Sequence, residues 1–268
     1  MDLLAAALLG VVQGLTEFLP VSSSGHLILA RAFFGWDAER FGLPFDVACH
    51  VGTLLAVALY FWSDIRAMIA ALPGALTGGQ GEHERLVRLI VVGTLPIVAV
   101  GLLFGDRLEA WRSPEVVAVT LAVGGAGLIV AERLGTQRRA EGSIGYGEAA
   151  AIGLAQAAAL IPGVSRSGAT LTLAMLIGLQ RARAARFVFL LSLPAVVAAA
   201  AREALKLREI GVAAIPASLF GVVVVVSAVV GYLTIKFFLR YLASHSLTVF
   251  AYYRFALAGA TVLWLATR

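Results

Sequence analysis

The chain is short of charge and of cysteine. Only 14% of its 268 residues are Asp, Glu, Lys or Arg, against roughly 25% in an ordinary soluble domain, too few to cover a water-facing surface. The single Cys49 excludes an internal disulfide, and with it a stapled secreted domain. No basic stretch precedes the first apolar run, so that run reads as a retained segment rather than a cleaved signal peptide. A net charge of +5 and a pI near 9.8 do not point to nucleic acid. The basic residues are scattered through short connections between apolar runs, where they serve as membrane-flanking anchors.

What the chain has in abundance is hydrophobicity: 60% of its residues are apolar and the mean hydropathy is +0.91. A bilayer core needs roughly 17 to 25 apolar residues per helical span. Six runs qualify: 45 to 62, 88 to 104, 115 to 133, 185 to 201, 214 to 235 and 249 to 267. The expected fold is an all-α integral membrane protein, a single transmembrane domain over 1–268. The 28 glycines suit close helix packing in lipid.

Two further apolar regions are interrupted. Residues 3 to 35 are broken by Pro20-Val21-Ser22-Ser23-Ser24-Gly25, and residues 147 to 179 by Pro162-Gly163-Val164-Ser165-Arg166-Ser167-Gly168. Proline removes a helix donor, and small hydroxyl residues offer competing hydrogen bonds. The stretch from Leu3 to Phe18 reaches only ~24 Å at ~1.5 Å per residue, too short to span. Both regions are therefore expected as re-entrant helix-loop-helix hairpins.

The interruptions also match one another. At an offset of 143, Gly10, Gln13, Val21, Ser22, Ser24 and Gly25 fall on Gly153, Gln156, Val164, Ser165, Ser167 and Gly168. Three spans, an odd number, separate the two hairpins. The halves 1–133 and 147–267 are thus expected as inverted-topology repeats whose loops enter from opposite faces and meet near the midplane. Twelve basic residues, Arg254 among them, fall on one side of this topology and eight, including Arg40 and Arg268, on the other. That count puts the richer side in the cytoplasm and both termini outside.

Irregular backbone at membrane depth is tolerated only where protein buries it or a wet cavity adjoins it. Gln13 and Glu17, four apart, share a helix face toward the Ser22-Ser23-Ser24-Gly25-His26 turn. Arg166, alone among basic residues between Gly142 and Gln180, needs an anionic partner at that depth: Glu17 at rest, a phosphate in function. Amides at the helix starts near Gly25 and Gly168 favour the same anion, and with Ser165 and Ser167 they outline a phosphate cradle. His50 and Cys49 read as packing residues, His83 and His245 carry no signal, and Gln156 reads as a hydrogen-bonding echo of Gln13.

At these residues the chain resembles the undecaprenyl-diphosphate phosphatases of the bacitracin-resistance type. Gln13 to Glu17, read as (Glu/Gln)-x-x-x-Glu and continuing through PVSSSGH, carries the likeness together with PGVSRSG from Pro162 to Gly168. Gln13 stands where many members have Glu, and Ser24 where many have Thr. The resemblance implies hydrolysis of undecaprenyl diphosphate to undecaprenyl phosphate and phosphate, in a bacterial inner membrane, recycling the lipid carrier of peptidoglycan synthesis. Its substrate partner is that lipid; a homodimer is compatible with it.

With that substrate, Ser23 is the candidate nucleophile or direct phosphate ligand. Glu17 is the candidate base or metal carboxylate, and His26 a general acid or alternative nucleophile. Gln13, Ser22, Ser24, Gly25, Ser165, Ser167 and Gly168 complete the diphosphate site around Arg166. Mg²⁺ or Ca²⁺ suits a carboxylate and phosphate oxygens, zinc-type His/Cys spacing is absent, and no organic cofactor is expected. A lipid flippase or anion transporter would use the same cradle, whereas a structural scaffold gives no reason for Arg166 at membrane depth.

Overall fold

In lipid every backbone polar group must be satisfied within its own segment or by neighbouring protein, so long apolar runs fold as helices. A computed structural model describing residues 2–36, 42–210 and 216–267 shows this outcome throughout. The helices are α1 (Asp2–Thr16), α2 (Ser23–Phe34), α3 (Leu43–Tyr60), α4 (Trp62–Leu76), α5 (Glu82–Glu109) and α6 (Pro114–Leu134). They continue with α7 (Tyr146–Ala158), α8 (Arg166–Leu176), α9 (Arg181–Ile210), α10 (Ala217–Leu242) and α11 (Thr248–Ala266). No strand occurs among the described residues.

Helices α5, α6, α10 and α11 and the stretch Arg181–Arg202 of α9 are long and apolar enough to cross a membrane. Helix α3 runs into α4 through an 81° bend, and counting that pair as one span gives six. The chain is an all-α, multi-pass membrane protein. Large apolar side chains such as Leu76, Leu102 and Leu263 stand exposed on its surface, as a lipid-facing exterior requires. The expected first span, 45 to 62, is α3; helix α4 was not expected, because its short run is divided between an exposed face and one that buries Ala71 and Ala75. Position 214, where another span was expected to begin, lies outside the described residues, as do Arg40 and Arg268.

The two interrupted regions are both helix pairs, α1 with α2 and α7 with α8. Helix α1 packs along α10, whereas α7 packs along α5. Small residues set both approaches: a Cβ on Gly153 of α7 would lie 2.2 Å from the Gly93 carbonyl oxygen of α5. Phe18, next to Glu17, meets Phe189 of α9 edge-on with ring centroids 5.6 Å apart, and Phe189 continues to Phe238 of α10. This buried aromatic chain anchors the end of α1 within the bundle.

One charge assignment is corrected. Arg254, counted with the membrane-flanking arginines, is fully buried in α11 and among the described residues bonds only to backbone carbonyls, so it contributes nothing to the charge asymmetry of the loops.

Candidate active site

Both interruptions build the same turn. Ser22 and Ser165 each adopt φ of 73°, a conformation costing about 1 to 3 kcal/mol for a residue with a side chain. Each compensates by capping the helix it precedes: Ser22 Oγ accepts from the Gly25 amide at 3.3 Å, and Ser165 Oγ from the Gly168 amide at 3.1 Å. The Gly25 and Gly168 N–H groups, expected to face an anion, are therefore occupied. The amides of Ser23, Ser24, Arg166 and Ser167 in the first turns of α2 and α8 are left without an acceptor among the described residues. They are the open donors at these helix starts.

The two turns interlock. Ser167 Oγ donates to the Leu19 carbonyl at 2.9 Å, and the Gly163 amide approaches Ser24 Oγ at 3.5 Å. Ser22 Oγ lies 3.3 Å from Ser24 Oγ, and Ser165 Oγ 3.2 Å from Ser167 Oγ. Gly163, at φ 86°, is where the second loop presses on α6, since a Cβ there would stand 2.0 Å from Thr120 Oγ1. Thr120 in turn donates to the Pro162 carbonyl at 2.8 Å.

At the junction lies Glu17, only 8% exposed. Its Oε2 accepts from Ser23 Oγ at 2.6 Å and from Gln13 Nε2 at 2.9 Å, and its Oε1 is bound by Arg166 Nη2. The structure thus brings together Gln13, Glu17, Ser23 and Arg166 from opposite halves of the chain. Gln156 does not echo Gln13: it is fully buried, and neither its Oε1 nor its Nε2 finds a partner among the described residues.

A cavity of about 540 Å³ opens on this cluster, within the roughly 300 to 1,000 Å³ typical of ligand sites. Glu17, Ser22, Ser23, Ser24, Ser165 and Arg166 supply its polar walls, as does His50. Ile97, Val98, Leu102, Leu160 and Ala198 supply apolar ones, and Arg112 and Arg202 also border it. His50, read from sequence as packing, is therefore part of the cavity wall. His26 is not among the residues lining it. Its Nδ1 lies 2.7 Å from the Ser22 carbonyl and its Nε2 2.7 Å from the Tyr253 hydroxyl, with the two rings nearly parallel. A carbonyl only accepts, so Nδ1 carries a proton.

Sequence reasoning missed Tyr253, Thr120 and above all Arg254. The signal for Arg254 was present: a charge within an otherwise uncharged span, the criterion that singled out Arg166.

This arrangement can cradle a phosphoryl group between a guanidinium, amides and hydroxyls while an apolar wall takes a hydrocarbon tail. The sequence profile of the family "Bacitracin resistance protein BacA" matches residues 6–260. The chain belongs to the BacA family. A relative from Rubrobacter xylanophilus described as an undecaprenyl-diphosphatase is 51% identical over 263 residues, covering 97% of each chain. Undecaprenyl-diphosphatases from Moorella thermoacetica and Saccharophagus degradans are each 43% identical, covering 99% of this chain and 99% and 100% of their own. The likeness runs the length of the molecule, so both loops and every helix of the cavity lie within the BacA match.

Among the described residues no three His, Cys, Asp or Glu groups converge as a metal cage. Glu17 is the carboxylate that Ser23 and Arg166 bind, and Glu109 also lines the cavity. A hard cation that takes most of its ligands from substrate phosphate and water needs only one or two carboxylates, and Glu17 fits that limited demand.

Proposed function

We propose that this BacA-family protein hydrolyses undecaprenyl diphosphate to undecaprenyl phosphate and inorganic phosphate, recycling the lipid carrier of peptidoglycan synthesis and thereby conferring bacitracin resistance. The observation that carries this reading is the single cavity holding Glu17, Ser23 and Arg166 against an apolar wall. Such a shape admits a charged head while its hydrocarbon tail stays in an apolar medium.

In this mechanism Arg166 turns from Glu17 to the terminal phosphate and, with the open amides of Ser23, Ser24, Arg166 and Ser167, stabilises charge on the transferring phosphoryl group. Ser23 Oγ attacks the terminal phosphorus in line while its proton passes to Glu17. The bond from phosphorus to the bridging oxygen breaks, and its electron pair leaves on undecaprenyl phosphate. Glu17 hands that proton to the departing undecaprenyl phosphate; as a carboxylate again it takes a proton from the water that attacks the phosphoserine, and returns it to Ser23 Oγ as the bond from phosphorus to Oγ breaks and phosphate leaves. A bound Mg²⁺ or Ca²⁺, held by Glu17, would neutralise charge on the diphosphate oxygens.

The 2.6 Å contact between Ser23 and Glu17 favours chemistry over translocation, because moving an anion gains nothing from a carboxylate beside it. It also favours Ser23 over His26, which does not line the cavity and whose ring nitrogens are both engaged, one with the Ser22 carbonyl and the other with the Tyr253 hydroxyl. We further infer that 1–133 and 147–267 are inverted repeats, in a bacterial inner membrane with both termini on the periplasmic side. The repeats are supported by the matched turns and by the exchange of partners, α1 on α10 and α7 on α5, and the orientation by the excess of basic residues on the opposite side.

The deciding experiment is acid-quench trapping with undecaprenyl diphosphate labelled in its terminal phosphate, followed by mapping of the modified residue. Label on Ser23 is expected. Label on His26 would move the nucleophile, and phosphate formed with no labelled protein and one oxygen taken directly from water would remove the covalent step.

A further inference from the structure

Arg254 has no part in the chemistry above, although among the described residues it is the largest side chain that is fully buried. No carboxylate reaches it among the described residues. Its Nε donates to the Leu121 carbonyl at 3.0 Å and its Nη1 to Pro20 at 3.2 Å. Its Nη2 faces the carbonyls of Thr120 at 2.9 Å, Gly163 at 3.1 Å and Val164 at 3.1 Å. One guanidinium therefore joins the first loop, the second loop and α6.

The neighbouring glycines make room for it. A Cβ on Gly124 would stand 2.0 Å from Nη2, and one on Gly168 would stand 3.0 Å from Nη1. Carbonyl dipoles disperse a positive charge without cancelling it, and burying an ion with no counter-charge is expensive. A neutral donor would have tied loop to helix at lower cost, so the retained charge calls for a reason.

The direction of the carbonyls supplies one. Pro20 stands three residues before Ser23, and Gly163 and Val164 stand just before the Ser165-Arg166 turn. Oxygens turned onto Arg254 are turned away from the cradle, where they would repel phosphate. What the loops then show the substrate is hydroxyls and N–H groups.

We propose that Arg254 is a positioning residue of the diphosphate site: it draws the carbonyls of both loops onto one buried cation, and its uncancelled charge offsets part of the charge of the bound anion. This rests on the cavity's being the diphosphate site. Arg254 touches neither the substrate nor Ser23, and it acts through the two loops.

The test uses the full chain in detergent. Phosphate release from undecaprenyl diphosphate is measured for wild type, Arg254→Lys, Arg254→Gln and Gly124→Ala, with thermal unfolding followed in parallel. Arg254→Lys keeps the charge but not the fork, so kcat is expected to fall roughly a hundredfold, the scale of a misplacement near 1 Å, with KM little changed. Arg254→Gln loses the charge as well and should also raise KM about tenfold. Gly124→Ala displaces the guanidinium without removing it and should lower kcat; it decides the matter if the Arg254 variants do not fold. Folded Arg254 variants within about twofold of wild type in both kcat and KM, or an unchanged kcat in Gly124→Ala, would overturn the role. Absence of phosphate release by wild type would instead overturn the function on which the role rests.

Discussion

Ser23 Oγ and Arg166 Nη2 hold opposite oxygens of the same Glu17 carboxylate. In the proposed mechanism the residue that would activate the nucleophile is thus also the resting counter-ion of the group that would grip the phosphate. On that mechanism substrate would compete with Glu17 for Arg166, and winning that competition would free the carboxylate to take the Ser23 proton. Binding and activation would then be one event.

Loss of any member of this trio should therefore be severe. Ser23→Ala, Glu17→Ala and Arg166→Ala are each expected to lower kcat by at least about 10² to 10³, the loss seen when one stabilising group leaves a preorganised site. Combining two of them should cost little more than one, since the groups act as a unit. Steady-state phosphate release by the three single variants and one double variant measures this. Undiminished turnover in Arg166→Ala would remove the electrostatic centre of the mechanism.

His26 should behave as a strut. Its Nδ1 proton goes to the Ser22 carbonyl and its Nε2 meets Tyr253, which holds Ser22 in its left-handed conformation. His26→Gln can still donate to that carbonyl and is expected to keep kcat within about tenfold of wild type, whereas loss of a general acid costs about 10² to 10⁴. A His26→Gln protein as inactive as Ser23→Ala would return proton transfer or nucleophilic attack to the imidazole.

The metal expectation has a direct check. If a hard cation enters with the diphosphate and takes Glu17 as its protein ligand, excess EDTA should abolish turnover, and Mg²⁺ or Ca²⁺ should restore it. Glu17→Gln should weaken the apparent affinity for the ion. Full activity in chelator would leave charge stabilisation to the protein's own groups, Arg166, the loop amides and the buried Arg254.

Tail recognition should map to the apolar wall. Gly101 borders the cavity, and a Cβ there would meet only Leu160 Cδ1, at 3.8 Å, so a larger side chain would grow into the open space. Gly101→Leu is expected to raise KM for undecaprenyl diphosphate by about tenfold, the scale of one or two displaced methylene contacts, with smaller effect on inhibition by inorganic pyrophosphate. Equal effects on both would place the obstruction at the head group.

The sequence by itself determined the all-helical membrane fold, the two broken helices and the pairing of Glu17 with Arg166. The first two are local, set by hydropathy over one span and by proline and serine chemistry within one turn, whereas the pairing follows because a charge at membrane depth needs an anionic partner and Glu17 faces the matching loop of the repeat. Only the tertiary structure decided that Arg254 leaves the membrane edge to gather five carbonyls, that His26 turns to Tyr253, that His50 joins the cavity, and that the amides at Gly25 and Gly168 are already capped. A sequence states that a residue is charged or polar and roughly how deep it lies. Which face of its helix meets which neighbour follows from packing between segments far apart in the chain, and at Arg254 that packing, through Gly124 and Gly168, converts an apparent anchor into the hub of both loops.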